Sequence, residues 1–282
     1  MTVGECRKEY TRIISAFAPD DAAVLCDILL SSVLGCDRSA LLLSLDREIS
    51  SGDENKLACG IHELSMGVPV QYVIGSCYFM GREIKVGRGC FIPRYDTEFL
   101  AAAAIAALPV GGSFADICCG SGCISAALAQ TLKPSKGYAL ELSPKAAAYA
   151  AENLSSFPSV EVLRFDALDD DDYDALAGRL DGGLDVVVCN PPYIPSADIP
   201  LLSAQVQYEP ETALDGGEDG LKFYREIIRL APKLLKDEGT VLFEVGINQS
   251  DDVCSLLEAS GRKTARIKDD AGIERVVIGK KY

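Results

Sequence analysis

The 282-residue sequence predicts an α/β protein: a small all-helical unit, a β-hairpin, and a mostly parallel sheet that ends in an antiparallel hairpin. Three observations predict it. Short apolar runs alternate with helical patterns from Thr97 onward, which implies parallel βαβ units with right-handed crossovers. The last two runs, residues 264–267 and 275–278, have only Lys268-Asp269-Asp270-Ala271-Gly272 between them. That is too short for a crossover helix, so the two strands should pair antiparallel. No strand signal occurs before Tyr72.

In chain order, the first 75 or so residues read as helical. Asp20-Asp21 precede an apolar run from Ala22 to Leu30, a capped helix start. Ser39 is placed to cap a second helix through Leu45. Leu57, Ile61 and Leu64 stand at helical spacing in a third pattern over residues 51–66, and Gly67-Val68-Pro69 ends it. A bridge over residues 70–94 follows. Within it Cys77-Tyr78-Phe79-Met80 and Glu83-Ile84-Lys85-Val86 flank Gly81-Arg82, the pattern of a β-hairpin. The strand-like runs beyond are residues 114–118, 138–140, 160–165, 184–189 and 240–245. Cys123–Leu132, Pro144–Leu154 and residues 221–235 are helical between them, with Ser143 as N-cap and Pro144 at the first helical position of the second. Asp169-Asp170-Asp171-Asp172 reads as a solvated loop. The expected domains are a helical one over residues 1–75, a hairpin linker over 76–96, and a catalytic domain over 97–282.

Charge and composition exclude several classes. The chain has 42 Asp plus Glu against 27 Lys plus Arg, a net charge of −15. General nucleic-acid binding needs cations on the phosphates, so no direct nucleic-acid substrate is expected. At 48% apolar the chain can bury a core, which separates it from a disordered acidic tail. Its eleven cysteines include no CxxC and show no disulfide framework, as in a reducing cytosol. The first residues carry no basic-then-apolar signal. The longest apolar stretch, residues 100–110, is too short to span a bilayer. A cytoplasmic location without membrane contact is the expectation.

Two segments carry chemistry. The first is Asp116-Ile117-Cys118-Cys119-Gly120-Ser121-Gly122, between a strand and a helix. Small residues there let backbone amides and a helix N-terminus approach a ligand. Glu141 lies 25 residues after Asp116 at the end of the next strand, where an acid can bond a ribose hydroxyl. Asp166 ends the third strand in the same way. Three acids along the carboxyl edge of the sheet would repel a pyrophosphate. A cofactor with a ribose, a base and a positive centre fits better, and S-adenosylmethionine has all three.

The second segment is Asn190-Pro191-Pro192-Tyr193, directly after the fourth strand. Two prolines fix φ and donate no hydrogen bonds, so the backbone is rigid and the Pro191 carbonyl can accept. The Asn190 side-chain carbonyl can accept beside it. Two acceptors held close would grip an NH2 group and aim its nitrogen lone pair, and Tyr193 can pack flat on a planar amide or base.

Here the sequence resembles the amino-methyltransferases that act on planar NH2 groups. More narrowly, it is similar to HemK/PrmC-type protein-(glutamine N-5) methyltransferases of peptide chain release factors. Besides Asn190-Pro191-Pro192-Tyr193-Ile194, the segments that carry this are Pro69-Val70-Gln71-Tyr72-Val73-Ile74-Gly75 and Ile92-Pro93-Arg94-Tyr95-Asp96-Thr97-Glu98. Further on come Tyr208-Glu209-Pro210, Ala213-Leu214-Asp215-Gly216-Gly217, Asp219-Gly220-Leu221, and Phe243-Glu244-Val245-Gly246 with Gln249. The resemblance implies a class I S-adenosylmethionine-dependent methyltransferase domain, Rossmann-like, with a seven-stranded mostly parallel sheet. It also implies an N-terminal helical domain that docks the release factor. Residues 118–122 (Cys118, Cys119, Gly120, Ser121, Gly122) with Asp116 would hold the cofactor, Glu141 its ribose, and Asp166 with Ala167 would lie near its adenine. Asn190, Pro191, Pro192 and Tyr193 would form the catalytic and glutamine-binding loop. The family usually has Gly and Thr at positions 118 and 119, and Asp at 141; an aromatic is common at 167.

The expected reaction is direct methyl transfer from S-adenosylmethionine, giving S-adenosylhomocysteine, without a metal. The sole histidine, His62, lies in the helical region and is placed for no base catalysis. A nucleophilic Cys118 or Cys119 lacks a histidine partner. The alternatives are an adenine-specific DNA amino-methyltransferase, which would need a basic run to grip phosphates, and a catalytically inactive methyltransferase-like module that binds the translation machinery. A nicotinamide dehydrogenase is disfavoured by the acids and the antiparallel end.

Overall fold

Thr2 opens the first helix through a reciprocal cap. Its hydroxyl accepts from the Glu5 amide at 3.2 Å, and the Glu5 carboxylate accepts from the Thr2 amide at 2.9 Å. The computed structural model describes residues 1–281; Tyr282, the last residue of the expected catalytic domain, lies outside the described residues. Residues 1–76 and 203–208 form one unit, and the other described residues form a second.

The helical unit contains α1 (Val3–Ile14), α2 (Ala22–Leu34), α3 (Arg38–Leu43), α4 (Ser51–Ser65) and α5 (Val70–Ile74). Their apolar faces meet in a core that includes Cys6, Leu30, Leu41, Leu57 and Ile61. Asp27 is buried in this unit and is held by Arg7 at 2.5 Å and Arg38 at 3.1 Å, so its charge is compensated. Two expectations shift here. Asp37, not Ser39, caps α3, accepting from the Ala40 amide at 2.8 Å, because Asp37 stands just ahead of the helix while Ser39 lies within its first turn. Residues 70–74 are a helical turn rather than part of the bridge, started by Pro69 and ended by Gly75 in the left-handed region.

From Cys77 the second unit begins, and β1 (Ser76–Phe79) and β2 (Arg82–Lys85) form the hairpin. Its turn is Met80-Gly81, both with positive φ, rather than Gly81-Arg82. Such a two-residue turn matches the right-handed twist of the strands. The helix α6 (Tyr95–Ala107) then leads into alternating elements: β3 (Ser113–Ile117), α7 (Cys123–Leu132), β4 (Lys136–Glu141), α8 (Pro144–Leu154), β5 (Val160–Arg164), α9 (Asp170–Ala177) and β6 (Leu184–Cys189). After α10 (Ala204–Gln207), a short helix of the first unit, come α11 (Lys222–Leu230), β7 (Leu235–Glu244), α12 (Ser250–Ala259), β8 (Lys263–Lys268) and β9 (Glu274–Lys280).

The seven strands β3–β9 make one sheet in the order β5-β4-β3-β6-β7-β9-β8. Only β9 runs against the others, pairing antiparallel with both β7 and β8. Strands β3–β5 wind one way from the centre and β6–β7 the other, so the winding reverses between β3 and β6. Open α/β sheets bind ligands at such a reversal. The central strands are nearly continuous apolar runs, as sheets buried on both faces require. Val187 and Phe243 pack with Tyr224 and Leu176 in the core.

The acidic run is not a loop. Asp169 caps α9, accepting from the Asp171 amide at 3.0 Å, and Asp170, Asp171 and Asp172 form its first turn. Acids are favoured there because the helix N-terminus carries partial positive charge. Asp170 also binds Arg229 at 2.7 Å and Lys233 at 2.9 Å, which holds its carboxyl down at about 2. The helix expected over residues 221–235 ends at Leu230 and passes into a 3-10 turn, because Pro232 supplies no amide hydrogen to continue it.

Candidate active site

Parallel pairing sets the carboxyl ends of β3, β4, β5 and β6 side by side. Asp116 pairs with Ala139 and Val188, and Glu141 with Arg164. The sheet therefore brings Asp116, Glu141, Asp166 and Asn190 to one edge.

After β3 the chain reverses into α7 within residues 118–122. Cys118, Gly120 and Gly122 all have positive φ, at 58°, 55° and 75°. Glycine adopts this region freely; a cysteine does so at a steric cost. The turn is tied to the neighbouring strand. Cys119 donates to the Leu140 carbonyl at 3.0 Å, and Gly120 donates to Glu141 Oε2 at 2.8 Å. Glu141 Oε1 accepts from the Ser143 amide, also at 2.8 Å. Burial raises the Glu141 carboxyl, and these backbone amides oppose that rise.

Asp116 is fully buried. Its Oδ2 accepts from the Ser125 amide at 3.1 Å and the Ser125 hydroxyl at 2.7 Å, which caps the start of α7 from the strand. Its Oδ1 is buried without a partner, and desolvation lifts the acid to about 7. Ser121 contributes its carbonyl to Asn153 Nδ2 at 2.9 Å. Asp166 and Ala167 form a corner after β5. The Asp166 amide donates to Asp172, Asp166 Oδ1 accepts from Leu168 at 2.9 Å, and the Ala167 carbonyl accepts from the Tyr173 hydroxyl at 3.2 Å. The first turns of α9, expected as a solvated loop, thus hold this corner.

Asn190 follows β6, and its Nδ2 donates to Thr97 Oγ1 on α6 at 3.2 Å. With its nitrogen on Thr97, its side-chain oxygen is the acceptor end of the amide. Pro191 and Pro192 are buried. The Tyr193 carbonyl accepts from Gln249 Nε2 at 2.9 Å, and Gln249 Oε1 accepts from Gly246 at 2.9 Å. Ile194 exchanges hydrogen bonds with Leu214 and Gly216. A Cβ at Gly220 would lie 2.4 Å from the Tyr193 carbonyl oxygen, so glycine is required there. These contacts give physical content to the Asp215–Leu221 and Gln249 signals. The Arg94 guanidinium pairs with the buried Glu209 carboxylate, which also accepts from the Ile92 amide at 2.9 Å.

Residues 5–75 match the family described as PrmC N-terminal domain, and residues 96–204 match the Methyltransferase small domain. A release factor glutamine methyltransferase of Geobacter sulfurreducens is 36% identical over 265 residues, covering 93% of this chain and 90% of that one. The chain belongs to the release factor glutamine methyltransferase family. A second relative of that name, from Moorella thermoacetica, is 34% identical over 282 residues, with 99% and 98% covered. Among solved structures, a ribosomal protein L11 methylase of Lactobacillus delbrueckii subsp. bulgaricus shares the fold, with a TM-score of 0.50 and 17% identity. That likeness covers 73% of this chain and 90% of the other.

Of the two cysteines that depart from the family pattern, Cys119 is buried and Cys118 is partly buried. Burial pushes the Cys119 and Cys123 thiols well up, so they stay protonated and unreactive. Residues that sequence reading left without a role are Thr97, Asn153, Glu244 and Gln249. Three of them stood within family-like segments, but only the fold shows what each touches. No helix among the described residues is long and apolar enough to cross a membrane.

Proposed function

We propose that this protein transfers a methyl group from S-adenosylmethionine to the side-chain amide nitrogen of a glutamine in a peptide chain release factor, in the cytoplasm. S-adenosylhomocysteine is the second product. In this reading residues 1–75 dock the factor, 76–96 link, and 97–282 carry the reaction.

The residues fit the cofactor. Gly120 has positive φ, and a Cβ added there would meet nothing within 4 Å, so the turn leaves open space at its surface. Glu141 and Asp166 offer carboxylates at adjacent strand ends, which suits a ribose and a positive centre. Residues 118–122 would hold it, with Glu141 on the ribose and the Asp166-Ala167 corner by the adenine; Asp116 would support the turn from beneath. The cofactor supplies a methyl group on a sulfonium.

The observation that carries the reading is the orientation of Asn190 with its Nδ2 on Thr97 Oγ1, because in it the Asn190 oxygen is an acceptor beside a proline carbonyl. Asn190 and Pro191 would accept both hydrogens of the glutamine NH2. That grip aims the nitrogen lone pair and offsets positive charge as the C–N bond forms and the S–C bond breaks. Pro192 keeps the loop stiff, and Tyr193 packs on the planar amide. The nitrogen then loses one proton to solvent.

The net charge of −15 and the relatives' names favour a protein amide over a DNA base. The test is incubation with methyl-labelled S-adenosylmethionine and either a release factor or duplex DNA. Label in the factor, lost when its acceptor glutamine is changed to alanine, supports the reading. Label only in DNA, or in neither, overturns it.

A further inference from the structure

Glu244 ends β7 and is 2% exposed. Cys189 pairs with Phe243, so Asn190 and Glu244 are the next residues along two neighbouring strands. Asn190 Nδ2 donates to Thr97 Oγ1 at 3.2 Å, both side chains favour the ionised form of the Glu244 carboxylate, and its Oε2 is buried with no partner. A carboxylate used for stability is paired or saturated with donors. This one is neither. Arg275, the nearest compensating cation, is already bound to Asp96 at 2.9 Å and Asp269 at 2.9 Å.

An asparagine amide fits its space in two orientations that differ only in which end donates. Thr97 can accept or donate, so alone it does not choose between them. A carboxylate only accepts. With Glu244 ionised, the Thr97 hydroxyl gives its proton to Glu244 and turns its lone pair to Asn190 Nδ2. We propose that Glu244 is a positioning residue that locks the Asn190 amide with its oxygen toward substrate, acting directly and through Thr97. This rests on the reading that Asn190 grips a substrate NH2.

A protonated Glu244 could donate, and the lock would loosen. Burial pushes this acid up to about 7; Thr97 lowers it, Asp96 on α6 raises it, and Arg275 on β9 and Asn190 lower it. The Tyr224 hydroxyl donates to the Glu244 backbone carbonyl at 2.8 Å, and burial together with the carboxylate raises both Tyr193 and Tyr224. The switch from loose to locked therefore falls near neutral pH.

The test uses the full chain labelled with 15N-asparagine, with no substrate present. The Asn190 side-chain NH2 signals are identified by their loss in Asn190→Ala. They should titrate once between about pH 6 and 9 in the wild type and stay flat in Glu244→Gln. Glu244→Gln should also cut kcat by about 10- to 100-fold, the range for a partner behind a contacting residue. The dissociation constant for S-adenosylmethionine should stay within about twofold. Thr97→Val should share the loss of kcat and Thr97→Ser should restore it. The proposal is overturned if the wild-type Asn190 signals do not titrate, or if Glu244→Gln and Thr97→Val both keep kcat within about twofold of wild type. The spectra need no methyl acceptor. A wild type that methylates no release factor would thus sink the functional reading and leave the Glu244 result standing by itself.

Discussion

Gly120 donates its backbone amide to Glu141 Oε2 at 2.8 Å, which fastens the turn after β3 to the end of β4. One carboxylate thus shapes the turn and faces the region where a ribose would lie. Glu141→Ala should remove both contributions. It is expected to weaken S-adenosylmethionine binding by about 10- to 100-fold, or ~1.4–2.7 kcal/mol, in equilibrium dialysis. Unchanged affinity would show that the ribose contact lies elsewhere.

Asn190→Ala removes one of two acceptors while leaving the turn and Glu141 in place. Methyl transfer should fall by about 100- to 1,000-fold, as for loss of one preorganised polar contact in a reacting site. Cofactor affinity should hold. Turnover close to wild type would mean that the amide is gripped by other groups.

Cys118 carries a side chain at φ 58°. Cys118→Gly relieves that strain, worth about 1–2 kcal/mol, and gives back about 0.4–1 kcal/mol through a freer unfolded chain. A net gain of roughly 0.5–1 kcal/mol should appear as a raised midpoint in urea. A lowered midpoint would show that the Cys118 side chain packs more favourably than its backbone is strained.

Asn153 joins three segments. Its Oδ1 accepts from the Lys85 amide at 2.8 Å, and its Nδ2 donates to the Lys85 and Ser121 carbonyls, each at 2.9 Å. Asn153→Ala strands these buried groups and should cost about 2–4 kcal/mol. Asn153→Asp loses the two donated bonds but keeps the accepted one, and should cost less than alanine only in acid, where the carboxyl is protonated. Urea melts at two pH values separate the cases.

The folded Asp116 titrates near 7, against about 4 in an unfolded chain. Folding therefore takes up a proton between those values. The associated stability is complete below about pH 4, declines as pH rises toward 7, and is gone above it. Asp116→Asn keeps an acceptor for Ser125 and cannot ionise. Relative to wild type, its melting temperature should rise between about pH 4 and 7 and then level off. A difference that does not change with pH would contradict the raised acid.

The order of elements was legible because periodicity changes visibly from 3.6 to 2 at each junction, with Gly and Pro as punctuation. Asn190-Pro191-Pro192-Tyr193 was legible for the same reason: two prolines after an apolar run admit few structures. The start of α9 was hidden, because four aspartates show no apolar spacing and its buried residues, Tyr173 and Leu176, come later. Thr97 and Glu244 carried no local sign of their contact with Asn190. Thr97 is 93 residues away in sequence, and the pairing of β6 with β7, which sets Glu244 beside Asn190, is a property of the sheet. The α5 turn was missed because five residues are too few to show a period.

The helical unit takes in residues 203–208, ten residues beyond Tyr193, and the Tyr208 hydroxyl closes on the Met66 carbonyl at 2.6 Å. A fragment cut after residue 76 would leave that carbonyl without its donor. The unit is therefore no detachable cassette. Recombination that exchanged only the N-terminal part between two such enzymes would inherit a mismatched return segment, while one that also carried residues 203–208 would have to splice within ten residues of Tyr193. The two units are interleaved along one stretch of gene, and they should diversify together.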